Sequence, residues 1–277
     1  MPQQWRSTII LIFLLAFVGS ALTVLYSSIG IGQQAREPTV KTAEIVDPSD
    51  PYWEHAKLEV DRSVLELIAQ HQAELARGTR YHKFMHGDTG KKWIALTFDD
   101  GPHPKFTPRI LALLKQYHAK ATFFVVGEMA EKYPDLVRAE IAAGHSVGNH
   151  TYHHVNLTKI LEGDVATEIK ACGEVLQKIN GRAPRLFRPP GGDYDQGVAE
   201  AAEALGYTIV LWTDDPGDYA QPGDKVIASR ILAHIHPGGI ILIHDGIQQT
   251  IDVLPQILTY LQKQGYQFVT IDQMMKK

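Results

Sequence analysis

Cysteine occurs once in 277 residues, at Cys172, so no intrachain disulfide staples this chain and its fold must rest on packing. Cys172 falls in a stripe of Val165, Ile169, Leu176 and Ile179 whose spacing of 4, 3, 4 and 3 predicts the buried face of a helix rather than a reactive thiol. Nor is there an excess of basic charge. Against 31 Asp and Glu stand 27 Lys and Arg, a net charge of -4, which argues against nucleic acid as a partner. No internal repeat or low-complexity tract interrupts the chain. With 44% apolar and 21% charged residues it can bury a full α/β core.

Charge is missing altogether from Ser7 to Ile31. Within that stretch Thr8 to Tyr26 is long enough to cross a bilayer as a helix, which predicts a membrane anchor or signal segment over residues 1–31 and a catalytic portion outside the cytoplasm. If the segment is cleaved, the protein is secreted. A polar, Pro-containing stretch follows, and then Leu58, Leu65, Ile68 and Leu75 recur at spacings of 7, 3 and 7. We read residues 32–90 as a linker carrying an amphipathic helix at about 53–77, ended by Gly78, that either packs on the next domain or pairs two copies.

From residue 91 onward strand-like and helix-like periods alternate. Strand-like runs lie near 93–98, 121–126, 185–188, 208–213, 239–243 and 267–271, with a weaker one at 145–147. Between them run helical stripes such as Ile110, Leu113, Leu114 and Tyr117, or Ile251, Leu254, Leu258 and Leu261. This alternation predicts a mostly parallel sheet in an α/β domain spanning 91–277.

Polar clusters follow several of these runs. Trp93-Ile94-Ala95-Leu96 leads into Thr97-Phe98-Asp99-Asp100-Gly101-Pro102, two adjacent carboxylates that can serve one site only if the pleat is broken. Like charges that close need a cation or a shared proton. His150 and His154, four residues apart, supply imidazoles that one helical turn or a tight loop would bring together. With Asp100 they form an Asp-His-His set suited to a divalent ion with open positions: zinc, or alternatively cobalt, nickel or manganese. Arg188 precedes the rigid turn Pro189-Pro190-Gly191-Gly192, Trp212 precedes Asp214, Asp215 and Asp218-Tyr219, and Ile240 to Ile243 lead into His244. Such clusters at the carboxyl ends of strands are where α/β enzymes gather catalytic groups.

In this order the segments resemble the five motifs of the NodB-homology polysaccharide deacetylases, carbohydrate esterase family 4, over roughly residues 91 to 275. The resemblance implies a distorted (β/α) barrel of about seven parallel strands. It implies Asp99 as catalytic base, Asp100, His150 and His154 as metal ligands, Arg188 as the residue orienting the base, His244 as general acid and Asp218 as the carboxylate tuning that acid. Gly191, Trp212, Tyr219 and Leu242 are expected to line the sugar site, with a backbone N–H at Gly191 facing the developing oxyanion. Two positions depart from the family pattern. Gly191 stands where an aromatic residue is common, and Tyr219 where Trp is usual. The reaction implied is removal of N-acetyl groups from an N-acetylhexosamine polymer: peptidoglycan, a chitin-like chain or an exopolysaccharide. An O-acetyl esterase and a non-catalytic glycan-binding module are the alternatives.

Overall fold

The computed structural model describes residues 60–276. The membrane-anchor expectation for residues 1–31 lies outside them, as does the first part of the expected 53–77 helix. Among the described residues no helix is long and apolar enough to cross a membrane.

Described residues open with helix α1, Val64–Ala76, which Ser63 and Glu66 start through a reciprocal capping box. Arg77 closes it, and Gly78 then takes a positive φ of 79°. Strand β1 is Lys83–Phe84 and β2 is Trp93–Gly101. There follow α2, Thr107–Gln116; β3, Ala121–Val125; α3, Gly127–Lys132; α4, Pro134–Ala142; and β4, Ser146–Asn149. Next come α5, Glu162–Asn180; β5, Leu186–Phe187; α6, Gln196–Ala204; β6, Thr208–Val210; and α7, Asp224–His234. The chain ends through β7, Gly239–His244; α8, Gln248–Lys263; β8, Gln267–Phe268; and α9, Ile271–Met274.

All strand pairs are parallel, in the order β1-β6-β5-β4-β3-β2-β7, with β8 beside the start of β2. Just past β6, Asp214 forms a parallel bridge with Ile241 of β7, so that the far side of the sheet curls back onto its other edge. The result is the distorted (β/α) barrel.

Period two sorts the strands into two faces. Ile94, Leu96, Phe98, Ile241 and Ile243 pack against Ile110, Leu114, Leu254 and Leu258 of the surrounding helices. Ala95, Phe124, Trp212, Ile240 and Leu242 form a second core on the other face. Thr97, Asp99 and His244 fall in register with this second set, which places Asp99 and His244 at its upper end.

Three expectations need correction. The domain begins before residue 91, because Lys83–Phe84 pair with Ile209 and Val210 as an additional strand, and of the two alternatives for α1 it is packing on the domain that is observed, with Leu67 fully buried in the second core. The helix starts at Val64, and residues 60–63, inside its expected span, are not helical. The face it buries is also not the expected one. Leu65, Ile68 and Leu75 are exposed, while Leu67 and Glu74 are buried. Glu74 pairs with Lys83, whose Nζ also lies 2.6 Å from the Tyr194 hydroxyl, so α1 docks through a buried ion pair that a search for apolar periodicity passes over. By contrast Val165, Ile169, Cys172 and Leu176 are buried on one face of α5, and burial pushes the Cys172 thiol up to about 12.

Candidate active site

The two adjacent carboxylates share one site because β2 is bulged. Its register against β3 shifts between Phe98 and Gly101, and Asp100 adopts a left-handed φ of 71°. For a non-Gly residue that conformation costs about 1 kcal/mol or more. The strand therefore runs through the pair to Gly101 instead of stopping before it. A side chain at Gly101 would meet the Asp245 carboxylate at 2.8 Å, so glycine is required by close approach.

His150 and His154 converge on Asp100 through a loop, not a helical turn, with Thr151 and His154 at φ of 66° and 56°. His154 Nε2 lies 3.0 Å from Asp100 Oδ1 and His150 Nε2 lies 3.6 Å from the same oxygen. Donor atoms of the three residues all fall within 4.8 Å of one another. A four-coordinate ion about 2 Å from each donor needs donors about 3.3 Å apart, and the observed spacing fits. The outer contacts fit as well, since His150 Nδ1 meets the Arg188 carbonyl oxygen at 2.7 Å and so turns Nε2 toward Asp100. Burial would raise the Asp100 carboxyl, but His154 and His150 outweigh it and hold it well below the ordinary range. This is a potential Asp-His-His metal site.

Arg188 is fully buried. Its Nη1 donates to Asp99 Oδ1 and to Thr97 Oγ1, both at 2.8 Å, and its Nε donates to the Val210 carbonyl at 3.1 Å. The Phe124 ring lies 4.2 Å from the guanidinium carbon. Asp99 is thus fixed on one oxygen, and its other oxygen lies 3.7 Å from His150 Nε2.

On the paired strand, His244 is the register partner of Asp99. His244 Nδ1 meets Asp218 Oδ1 at 2.8 Å and its backbone N–H donates to Asp218 Oδ2, also at 2.8 Å. The Thr250 hydroxyl donates to that second oxygen. Burial alone would strip the proton from His244, but Asp218, with Asp61 and Asp100 adding, holds its pKa well above the ordinary histidine value.

With this geometry in place, comparison with known proteins is informative. A family model described as polysaccharide deacetylase matches residues 86–210. Peptidoglycan-N-acetylglucosamine deacetylase of Bacillus cereus is 40% identical over 191 residues, which are 67% of this chain and 89% of that one. The chain belongs to the polysaccharide deacetylase family. Chitooligosaccharide deacetylase of a Bradyrhizobium strain is 35% identical over 205 residues, 68% of this chain and 94% of the relative. Among solved structures, the Bc1960 peptidoglycan N-acetylglucosamine deacetylase aligns with a TM-score of 0.69 at 38% identity, covering 71% of this chain and 94% of that chain. Membership in this family of amide hydrolases makes the chain an enzyme of carbohydrate esterase family 4, whose deacetylases are metal-dependent.

Within this deacetylase site Gly191 and Tyr219 line the pocket together with Asp100, His150, His154 and His244. The Tyr219 ring stands 5.6 Å from that of His244, nearly perpendicular. Trp212 and Leu242 do not line it. Leu242 is fully buried in the second core, one inward-facing position below His244. Trp212 is buried beneath Gly192, where a side chain would come within 2.5 Å of the indole, and its ring lies 5.4 Å from the Arg188 guanidinium. Both positions precede a polar cluster, but each supports the floor of the site rather than its wall. Asp214 and Asp215 shape the turn before Asp218, Asp214 through its bridge to Ile241 and Asp215 by accepting the Gly217 N–H at 2.7 Å.

Sequence reasoning missed two acids. Asp245 accepts from the Thr107 hydroxyl, and its own N–H donates to the Asp99 carbonyl at 2.9 Å. Its place after His244 was the signal. Asp61 comes from the segment read as linker, lines the same pocket, and puts Oδ2 3.5 Å from His244 Nε2. Burial lifts its carboxyl to about 8, with His244 pulling it back down. No local pattern marked it, although the Ser63-to-Glu66 capping box fixed where the chain turns just behind it.

Proposed function

We propose that this chain hydrolyses the N-acetyl group of an N-acetylhexosamine polymer, with peptidoglycan as the first substrate to try and chitooligosaccharides as the second. The observation that carries the reading is the pairing of Asp99 with His244 across adjacent strands, one tied to a guanidinium and the other to a carboxylate, around the Asp100–His150–His154 set. A divalent ion held by those three residues, zinc by the softness of the imidazoles and the open position, would polarise the acetamide carbonyl and make bound water acidic. Asp99 takes the proton of the attacking water. Arg188 holds Asp99 by one oxygen and leaves the other 3.7 Å from His150 Nε2, beside the metal-binding set. His244, protonated because Asp218 faces its Nδ1, delivers a proton from Nε2 to the departing amine. Tyr219 and Gly191 border the place where the sugar enters. Names of relatives that act on peptidoglycan and chitooligosaccharide support the substrate class. The uncharged run from Ser7 to Ile31 supports a tether that holds the enzyme outside the cytoplasm, where such polymers lie.

The test is acetate release by the full chain, stripped of metal and titrated with zinc, on peptidoglycan and on chitooligosaccharides, beside Asp99→Asn. Zinc-dependent release that the variant lacks is expected. Stoichiometric zinc binding without release from any N-acetylated glycan would overturn the reading.

A further inference from the structure

Residues 60–63 lie against the site, with Asp61 in the lining of its pocket, and are fastened there. The Arg62 N–H donates to the Gly191 carbonyl at 3.0 Å, Arg62 Nε lies 3.7 Å from Asp193 Oδ1, and its Nη1 donates to Gln70 of α1. This fastening delivers Asp61, whose side chain is only 9% exposed, into the pocket formed by the metal-binding set, Gly191, Tyr219 and His244. The Asp61 carboxylate is 3.5 Å from His244 Nε2, the only ring nitrogen of His244 not already engaged by Asp218. That nitrogen is the one that must face the departing amine.

An aspartate side chain is acetate on a tether, and acetate is a product of the hydrolysis proposed above. We propose that residues 60–63 are an autoinhibitory strap, with Asp61 standing in the pocket as a built-in product analogue that substrate must displace. The inference rests on the deacetylase reading for the identity of that product. A supporting role for Asp61 in catalysis fits the geometry less well. His244 already has Asp218 as its partner, and a second carboxyl 3.5 Å from Nε2 occupies the side of the ring that the departing amine must reach. Asp61 also crowds carboxylates that the chemistry keeps, since Asp100 lines the same pocket. The site is therefore competent only in the fraction of molecules whose strap is open, and its apparent affinity falls by that fraction.

The test compares the wild-type full chain with Asp61→Ala and Arg62→Ala. On a soluble chitooligosaccharide, Asp61→Ala should lower KM by about ten-fold and leave kcat within about two-fold, because saturating substrate opens the strap in either protein. Arg62→Ala should shift KM the same way by less. Amides of residues 61–63 should exchange faster in both variants, and in wild type when the oligosaccharide is added. Zinc affinity should be equal in all three proteins. An unchanged KM, a ten-fold fall in kcat, or a loss of zinc affinity in Asp61→Ala would overturn the strap, the last by making Asp61 a ligand. If the wild type releases acetate from no glycan, the functional reading fails on its own. The strap is then decided by acetate alone as probe: tighter acetate binding to Asp61→Ala supports it, and equal binding overturns it.

Discussion

The two halves of the site solve opposite electrostatic problems with the same construction. On the Asp99 side a carboxylate is held by a fully buried guanidinium that is itself fixed by the Thr97 hydroxyl and the Val210 carbonyl. On the His244 side an imidazole is held by a fully buried carboxylate that is itself fixed by the Thr250 hydroxyl and the His244 N–H. Asp99 and His244 thus each have a charge of opposite sign behind them, and each of those charges has a hydroxyl behind it. The halves differ in what they ask of the fold. Arg188 carries a permanent charge and needs only burial and alignment, whereas Asp218 must win against the desolvation of a titrating group.

Breaking the Asp99 half should have the largest effect. Asp99→Asn keeps the size and the contact to Arg188 but removes the proposed base, and the acetate release rate should fall by about 1000-fold with zinc affinity retained. Next comes His244→Ala, which should cost about 100-fold on an amide and clearly less on an acetate ester of the same sugar, because an alkoxide leaves without needing as strong an acid. Steady-state rates on matched amide and ester substrates give the ratio. Equal losses would remove His244 from the acid role and leave the esterase alternative in contention.

Asp218→Asn sharpens the comparison further. Since Asp218 raises the His244 pKa, its loss lowers that pKa, and the protonated fraction at neutral pH drops. The alkaline limb of the kcat profile should move to lower pH, with about a ten-fold loss of rate at pH 7. Thr250→Val removes only the hydroxyl behind Asp218 and should move the same limb in the same direction by a smaller amount, with a few-fold loss of rate. A profile that moves upward in either variant would contradict this account of the acid half.

Both halves were legible in the sequence, because their residues sit at the ends of apolar runs and the order of the clusters is distinctive. Where the reading failed, the cause was long-range or rotational. Trp212 and Leu242 occupy strand positions next to the site, but a barrel covers both faces of its strands, so an apolar run does not reveal which face meets solvent. The stripe of Leu65, Ile68 and Leu75 had the right period for α1 and the wrong side. What selects the side is Glu74, and its partners Lys83 and Tyr194 lie beyond any helical repeat. The bulge that lets Asp99 and Asp100 share a site depends on a left-handed Asp100, a conformation that no residue type at that position announces.

That buried Lys83 has a practical consequence for anyone trimming the chain. The family match begins at residue 86, which invites a fragment that starts just before it. A cut near residue 80 would keep the ammonium of Lys83 inside and discard Glu74, and stranding one member of a buried pair typically costs about 3–5 kcal/mol. Against the roughly 5–15 kcal/mol that holds a domain together, this is a large share, before the loss of Leu67 is counted. The smallest piece expected to fold therefore begins upstream of Ser63, and a shorter fragment found inactive would report a folding defect rather than a failure of chemistry.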